Sequence, residues 1–573
     1  MKRLSLLSSI FLLGCLTAFA QAPGRPEPGL PDRAAFARSG MAERAGVARS
    51  GVEGGGELRF CLRSEPKTFN PLLVEDEASE TVRYLTGGVL VRVNRLTLKA
   101  EPELATEWKL SEGGKRIRFK LRQGLKYSDG TPFSAEDVAF TMGQLMDPAL
   151  HSSTGDAFRS GEGKVVTQVV SPGVVEITFP APVANLVNLF DTVVILSAKS
   201  QQKEMAVLGP FYVAERKPGS YLILKRNPYY WKKDSAGKQL PYLDSVRLDI
   251  EQNPEIEAMR FKRGEVHLIN TVSPAIFEKL SADSISVRDA GASTDTEQLW
   301  FNQVPGAPIP AYKKAWFAST NFRRAVSETI NRADLARIVF RGHAVPAVGV
   351  VSPSNTAWFN SSLKPHPYDT ASALRRLQQD GFKLQGDALR DKSGNAVEFS
   401  IVTNAGNRAR EAMATMIQQD LKKIGIKVNV VTLDFNSLLE RMTQSFNYEA
   451  CILGFQNVDL DPNGQMAVWL STSDNHQWNP RQKNPATAWE AEIDKLMKAQ
   501  AASGDQHKRK QYWDRVQQIV WEQEPFIYLI NKDALVAISP VVKNAQPSAF
   551  RPQTFWNVDV LRVEQFATQA QAR

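Results

Sequence analysis

Apolar and polar residues alternate in several short stretches of this chain, and a period of two predicts β-strands. The clearest case is Arg116–Leu121, where basic and apolar residues alternate, and residues 58–62 form a shorter one. A turn is predicted at 128–132, and Ser134 with Asp137 three residues later is typical of a capped helix start. The apolar stripe of that helix contains Val138, Met142, Leu145 and Met146.

A second pattern, near residue 400, predicts a strand, a helix and another strand in succession. Apolar residues alternate in both strands, at Val397, Phe399 and Ile401 and again at Ile426, Val428 and Val430. The helix has apolar residues at helical spacing, namely Ala409, Ala412, Met413, Met416, Ile417, Leu421 and Ile424. Gly425 is placed to end it. This β-α-β unit predicts parallel strands with a right-handed crossover, and amphipathic helices are also predicted at 322–331 and 370–380. The body is therefore of the α/β class.

The start of the chain has the pattern of an export signal. Lys2 and Arg3 precede an apolar run at 4–13 that is too short to span a bilayer, and a small-residue cleavage site follows at 18–20. We therefore expect residues 1–20 to be a secretory signal peptide.

Residues 21–56 contain four prolines, close on three glycines, and are predicted to be a disordered linker. An alternative interpretation of the export signal is a bacterial lipobox at 12–15. In that case Cys15 would be lipidated and would anchor the chain to a membrane. Both interpretations place the protein in the periplasm or elsewhere outside the cytoplasm.

Length, composition and charge narrow the classes of protein. The remaining residues, 57–573, exceed what one hydrophobic core usually supports, so two or more lobes are expected. A composition of 43% hydrophobic and 23% charged residues excludes a largely disordered chain. The net charge of +9 comes without a dense run of Lys and Arg, so nucleic acid is not expected as a partner. Cys61 and Cys451 cannot form a disulfide framework.

The sequence has no local catalytic motif. The six histidines lack metal-ligand spacing, and neither a G-x-S-x-G elbow nor a phosphate-binding P-loop occurs. We therefore expect no cofactor, no metal site and no enzymatic activity. A secreted hydrolase stays open as the rival class, because catalytic triads are defined by geometry and not by sequence order.

Several sequence strings, in a fixed order, carry a resemblance to one family. They include PELATEW at 102–108, LKYSDGTPFSAEDV at 125–138, LGPFY at 208–212, NPYYW at 227–231, LPYLD at 240–244 and FKRGEV at 261–266. Together they resemble the extracytoplasmic solute-binding proteins of ABC importers, in the dipeptide/oligopeptide-binding class known as family 5. The resemblance extends over about residues 57 to 540.

The resemblance implies a two-lobed periplasmic-binding-protein-like fold of the α/β class, with a hinge and an extra subdomain inserted in the first lobe. On this basis we expect lobe I at 57–88, 197–291 and 519–573, the inserted subdomain at 89–196, and lobe II at 292–518.

The resemblance also implies a receptor that does no chemistry. Such a protein captures a small solute between its lobes and delivers it to ABC permease subunits in the inner membrane. A short peptide is the leading ligand class. An oligosaccharide, a metal chelate and an opine-like molecule are the alternatives, and a monomer is expected.

The resemblance places the ligand site in the loop that follows a predicted strand at 448–453. The candidate ligand-binding residues there are Phe455, Gln456, Asn457, Val458 and Asp459. In peptide-binding relatives this loop supplies an Asp to the α-ammonium of the peptide, after a Gly-Trp pair. Aligned on Gly454, Phe455 takes the Trp position and Val458 takes the Asp position. Losing that partner would remove a charge-assisted hydrogen bond of about 1.5–3 kcal/mol.

Trp478 is a further candidate ligand-binding residue. Its ring, with that of Trp489, is suited to stack on a planar or sugar-like ligand. Packing against the lobe is the alternative for both rings.

Overall fold

The computed structural model describes residues 55–158, 163–283, 286–456 and 460–564. The predicted signal peptide, the linker up to Gly54, Cys15, Asn457, Val458 and Asp459 lie outside the described residues. None of the helices within those four ranges is long and apolar enough to cross a membrane. Cys61 is half-buried, Cys451 is buried, and both are free thiols.

The strands of the described chain are β1 (Glu57–Leu62), β2 (Val91–Val93), β3 (Ala100–Pro102), β4 (Ala105–Ser111), β5 (Arg116–Leu121), β6 (Val166–Ser171), β7 (Val174–Thr178), β8 (Phe211–Lys217), β9 (Tyr221–Arg226), β10 (Ser245–Ile250), β11 (Leu268–Ile269), β12 (Val287–Phe301), β13 (Ala344–Pro346), β14 (Lys383–Gln385), β15 (Ala388–Arg390), β16 (Glu398–Asn404), β17 (Lys427–Leu433), β18 (Ala450–Gln456), β19 (Phe526–Ile538), β20 (Val542–Lys543) and β21 (Arg562–Val563).

The α-helices are α1 (Glu77–Thr86), α2 (Ala135–Met146), α3 (Ser153–Asp156), α4 (Leu186–Leu189), α5 (Pro254–Lys262), α6 (Pro274–Ala282), α7 (Ala311–Ala318), α8 (Thr320–Thr329), α9 (Arg332–Asp334), α10 (Thr370–Gln379), α11 (Arg408–Lys422), α12 (Phe435–Glu440), α13 (Met466–Trp469), α14 (Ala488–Ala501) and α15 (Gln506–Gln523). Short 3₁₀ or π turns occur at Glu112–Gly114, Pro148–Leu150, Leu335–Val339, Arg441–Ser445, Pro462–Gln465 and Val558–Val560.

The structure confirms the predicted elements that depend on residues close together in the sequence. The predicted strand at Arg116–Leu121 is β5, and α2 begins with a capping box in which the Ser134 amide donates to Asp137 Oδ2 at 2.7 Å. The β-α-β unit is β16, α11 and β17, with β16 and β17 parallel and Gly425 at a positive φ of 79° after the helix. Its handedness stays a prediction.

Two predicted boundaries are wrong. The helix predicted at 322–331 is α8, which starts at Thr320 because Ser319 Oγ accepts the hydrogen bond of the Phe322 amide at 3.2 Å. The strand predicted at 448–453 is β18, which starts only at Ala450, because its partner strand β12 ends at the opposed residue Phe301. That strand also continues to Gln456, where it is still paired with β12.

One large sheet runs through the body of the protein. Its order is β17-β16-β18-β12-β19-β11-β1-β10-β9-β8, and β13 also pairs with β19. A separate four-stranded sheet, β4-β5-β7-β6, lies within the residues predicted to form the inserted subdomain and has its own hydrophobic core.

The long antiparallel strands β12 and β19 connect two regions of hydrophobic core. Along β19, Phe526 to Ile530 pack with residues of the predicted lobe II, whereas Leu535 to Ile538 pack with residues of the predicted lobe I. The two strands therefore occupy the position of the hinge, and the precise lobe boundaries stay predictions.

Candidate ligand-binding site

The predicted site loop leaves the sheet at an edge shared by the three strands β18, β16 and β12. Strand β18 ends at Gln456, and its parallel neighbour β16 ends at Asn404. Asp295 of β12 is the register partner of Gln456. In open α/β sheets ligands bind beyond the carboxyl ends of parallel strands, so this edge is well placed to receive one.

Gly454, two residues before the end of β18, lies against a buried ion pair. The Arg410 guanidinium and the Glu297 carboxylate are joined at 2.8 Å between Nε and Oε2. A Cβ atom on residue 454 would lie 2.6 Å from Arg410 Nη2 and 2.7 Å from Glu297 Oε1. Glycine is therefore required here by close approach and not by backbone conformation.

The ion pair belongs to a balanced group of charges. Lys532 Nζ lies 3.2 Å from Glu297 Oε1 and 4.0 Å from Asp295 Oδ2. Burial acts to raise the pKa of Glu297, but Arg410 and Lys532 outweigh it and hold that pKa below its usual value. Two carboxylates thus face two cations, which leaves no unpaired acidic group in this network.

The opposite face of the same strands presents Phe455. Its register partner is Thr296 of β12, and its half-buried ring packs edge-on against Phe526 with 5.6 Å between ring centroids. Gln456, the next predicted site residue, ends the strand at the same edge. The other predicted loop residues, Asn457, Val458 and Asp459, lie outside the described residues and stay predictions.

Trp478 is placed in the core. Its side chain is 1% exposed, it packs against Trp469, Trp489 and Phe526, and its indole N–H donates to Glu490 Oε1 at 3.0 Å. In this conformation the ring packs against the lobe, and a part for Trp478 in ligand binding stays a prediction. Thr487 caps α14, since its Oγ1 accepts from the Glu490 amide at 3.2 Å.

Three polar side chains that sequence reasoning missed lie on the Phe455 face. Gln298 and Tyr528 are register partners on β12 and β19, and Asn531 is the register partner of Thr296. All three are buried, with exposed fractions of 0% for Gln298 and Asn531 and 4% for Tyr528. Directly opposed residues of paired strands share a face of the sheet. We call Gln298, Tyr528 and Asn531 the polar patch.

The polar patch is incompletely hydrogen-bonded within the protein. Gln298 Oε1 accepts from Thr296 Oγ1 at 3.0 Å. Gln298 Nε2, the Tyr528 hydroxyl and both amide atoms of Asn531 have no hydrogen-bond partner among the described residues. Burial and the nearby Glu524 raise the pKa of Tyr528 well above its usual value, so the hydroxyl stays protonated and can donate. The sequence signal for this patch was weak, because Gln298 lies on a different strand from Tyr528 and Asn531, and Asn531 is followed by two further polar residues, Lys532 and Asp533.

The far end of the loop is fixed by a second buried ion pair. Arg509 Nη1 of α15 donates to Asp461 Oδ2 at 3.0 Å, and Asn355 Nδ2 donates to the Leu460 carbonyl at 2.9 Å. Asp461 Oδ1 also accepts from the Asn463 amide, as expected for a turn. Asp461 therefore acts as an anchor of the loop and already has a cationic partner.

Comparison with known proteins places this site in a family. Residues 99–477 match the model of the bacterial extracellular solute-binding proteins, family 5. The chain belongs to this family. The resemblance derived from the sequence strings is thereby confirmed, and the family 5 protein described here is a solute-binding component of an ABC transporter.

Individual relatives agree with this assignment. A probable ABC transporter-binding protein of Deinococcus radiodurans is 27% identical over 446 residues, which cover 70% of this chain and 74% of that protein. The oligopeptide-binding protein AppA of Bacillus subtilis is 24% identical over 504 residues, covering 83% and 86%.

A solved structure shows that the fold is shared. The ABC transporter substrate-binding protein CtaP from Listeria monocytogenes superposes with a TM-score of 0.75 at 21% identity, over 89% of this chain and 100% of CtaP. The predicted two-lobed fold of the α/β class is confirmed. Members of family 5 act outside the cytoplasm and bind solutes for transport.

Proposed function

We propose that this family 5 protein captures a short peptide at the edge formed by β12, β18 and β19 and delivers it unaltered to its permease. The observation that carries the proposal is the polar patch. Buried polar groups in proteins are nearly always hydrogen-bonded, so a group of unpartnered ones predicts that a ligand supplies the partners. The similarity to AppA, named as an oligopeptide-binding protein, supports the choice of ligand.

A peptide backbone has the chemistry that the patch requires. Gln298 Nε2 and the Tyr528 hydroxyl are donors without acceptors, and Asn531 has a free donor and a free acceptor. Peptide bonds offer an N–H and a C=O at every residue, so they match a patch of mixed character. The half-buried Phe455 ring beside the patch is suited to pack against an apolar peptide side chain.

The charges at this edge favour recognition of the backbone over recognition of the N-terminal ammonium. Among the described residues here, Glu297 is paired with Arg410 and Lys532, and Asp461 is paired with Arg509. The position that carries an Asp in peptide-binding relatives is Val458. The ammonium of a peptide would therefore gain little at this edge.

Capture requires that the peptide bind the closed form better than the open form. Closure is expected to bend the β12 and β19 connection, as in hinged two-domain receptors. We expect the protein to act as a monomer and to leave the peptide chemically unchanged.

A neutral oligosaccharide is the second candidate ligand. The carboxylates described at this edge already have cationic partners, which favours a ligand without positive charge. Hydroxyl groups of a sugar would supply hydrogen bonds to the amides of Gln298 and Asn531, as peptide groups do. Stacking on Phe455 would suit a sugar ring as well.

Calorimetric titration with a matched pair of ligands tests the proposal. A tetrapeptide and its N-acetylated form should bind with affinities within about threefold of each other, because no ammonium contact is lost. A loss of more than about tenfold on acetylation would contradict backbone recognition, since it corresponds to a charge-assisted hydrogen bond of roughly 1.4 kcal/mol or more. Binding of neutral oligosaccharides without any peptide binding would support the second candidate.

Mass spectrometry of the bound ligand tests the receptor role itself. A peptide added to the protein and recovered after denaturation should have its original mass. Recovery of shorter fragments would support the rival hydrolase.

Labelling of the expressed protein with radioactive palmitate tests lipidation, and a Cys15→Ala variant should lose any label that depends on the lipobox.

A further inference from the structure

Three metal-ligating side chains converge where β12 and β19 leave the predicted lobe I. They are Asp289 of β12, Asp533 of β19 and His343, which directly precedes β13. One ligand atom from each lies within 4.8 Å of those of the other two. We call these residues the hinge cluster. No local motif could reveal it, because its members are distant in sequence.

The His343 ring is held between carboxylates on both of its nitrogens. Nδ1 lies 3.1 Å from Asp289 Oδ2, and Nε2 lies 3.0 Å from Glu278 Oε1 of α6. The ring of Phe277 packs edge-on against the imidazole at 4.5 Å. A metal-bound histidine almost always directs its second nitrogen to a carboxylate or carbonyl, which fixes the ring. Glu278 has the position of such a supporting residue.

Asp533 provides an observation that is independent of the histidine. Its Oδ1 atom is buried and has no hydrogen-bond partner among the described residues. The Asp533 carboxylate lies within 4.8 Å of the Asp289 carboxylate. Two carboxylates brought this close repel each other unless a cation or a proton lies between them.

We propose that the hinge cluster is a binding site for a divalent transition-metal cation, with Asp289, Asp533 and His343 as its protein ligands. Imidazole favours zinc, copper, iron and nickel, whereas calcium and magnesium prefer ligand sets made only of oxygen. One nitrogen and two carboxylate oxygens suit zinc, with water in the remaining position. The side chains of Asp289 and His343 are 35% and 16% exposed, which leaves a path for the ion and its water.

The site would add a cross-link between strands that already pair through backbone hydrogen bonds, since β12 and β13 both pair with β19. Asp289 and Asp533 lie on the two strands that connect the core regions, His343 lies in the segment before β13, and Glu278 lies on α6. A bound cation would cross-link these elements in the folded protein and not in the unfolded chain. Metal binding should therefore raise the melting temperature.

Calorimetric titration of the EDTA-treated protein with Zn²⁺ tests the proposal. The wild type should bind one Zn²⁺ per chain at this site, and Ca²⁺ and Mg²⁺ should not compete. His343→Gln and Asp533→Asn should each lower the Zn²⁺ affinity by at least about tenfold, and Glu278→Gln by about 10–100-fold. His507→Gln is the matched control, because His507 is exposed at the start of α15 and should leave the affinity unchanged.

Two outcomes would overturn the proposal. One is the absence of Zn²⁺ binding to the wild type at concentrations up to about 1 mM. The other is equal Zn²⁺ affinity in the wild type, His343→Gln and Asp533→Asn. Thermal unfolding in EDTA verifies that each variant folds, and if His343→Gln does not, Asp533→Asn and Glu278→Gln decide the result. No solute ligand is needed, so the outcome is independent of the proposed peptide binding.

Discussion

The Arg410 guanidinium and the Glu297 carboxylate form a buried ion pair directly against the backbone of Gly454. The pair connects the start of α11 with the centre of β12, and Arg410 Nη1 also donates to Asn404 at 2.9 Å. Since the strand carrying Gly454 leads into the predicted binding loop, this contact fixes the start of the loop. Removing one partner of a buried ion pair is strongly destabilising, because the other charge is left buried alone.

Gly454→Ala should therefore destabilise the protein. The added methyl group would meet both members of the ion pair at less than 3 Å, and overpacking of this kind costs about 1–3 kcal/mol. Urea unfolding of the two proteins measures the difference. Gly143→Ala is the control, because this glycine lies in α2 with no atom near its missing Cβ and should gain about 0.5–1 kcal/mol in stability. Equal stability of Gly454→Ala and wild type would show that the ion pair can move aside.

Asn531→Leu should stabilise the unliganded protein and weaken peptide binding. Its buried amide has no hydrogen-bond partner, so replacing it with an apolar side chain of similar size removes a desolvation cost of about 1–3 kcal/mol. The same change removes a hydrogen bond to the ligand. Melting temperature and calorimetric affinity should move in opposite directions.

Asn302→Leu is the matched control for that prediction. Asn302 is equally buried, but its Nδ2 donates to the Phe446 and Tyr448 carbonyls, both at 2.8 Å, and its Oδ1 accepts from the Val304 amide. Its replacement should lower the free energy of unfolding by several kcal/mol, because three backbone groups lose their partner. If Asn531→Leu and Asn302→Leu are destabilised to the same extent, the Asn531 amide is hydrogen-bonded in the unliganded protein. The polar patch would then give no support to peptide binding.

Phe455→Ala and Trp478→Phe should separate binding from stability. Phe455 is half-buried beside the polar patch, so its truncation should lower peptide affinity by about tenfold, roughly 1.4 kcal/mol. Trp478→Phe removes the indole donor to Glu490 and should cost about 1–3 kcal/mol in stability. The affinity of the folded Trp478→Phe variant should be unchanged. If only Trp478→Phe lowers the peptide affinity, the Trp478 ring, and not Phe455, belongs to the binding site.

The Glu490 carboxyl predicts how stability depends on pH. It is hydrogen-bonded to His476, Gln482, Trp478 and Thr487. Burial acts to raise its pKa, but these hydrogen bonds outweigh burial and lower the pKa to about 2. Because the pKa of Glu490 is lower in the folded protein than in the unfolded chain, the ionised carboxylate stabilises the folded protein at pH values above about 4.5. This stabilisation is lost as the pH falls toward 2.

Glu490→Gln should therefore remove roughly 3 kcal/mol of stability at pH 7 and flatten its dependence on pH below about 4.5. Urea unfolding at a series of pH values measures both effects. Glu492→Gln, on the same helix, is the control, because that carboxylate is 43% exposed and pairs with Arg515 at the surface. If the free energy of unfolding depends on pH in the same way in the wild type and in Glu490→Gln, the pKa of Glu490 is not lowered by folding.

Local sequence patterns were enough to predict the elements whose causes lie within a few residues. The Ser134 cap, the β-α-β unit closed by Gly425 and the ordered strings of family 5 depend on local periodicity and turn chemistry, and all are confirmed. Boundaries depend on distant pairing, since β18 starts at Ala450, opposite Phe301 at the end of β12.

Which side chains meet depends on how distant segments pair in the folded chain. Arg410 and Glu297 are 113 residues apart, and Asn531 reaches the Phe455 face only through the pairing of β12 with β18 and β19. Trp478 has polar neighbours in the sequence, but its side chain is buried because Trp469, Trp489 and Phe526 enclose it. The physical reason is that burial and hydrogen-bond satisfaction are properties of contacts between distant segments, and no local pattern records them.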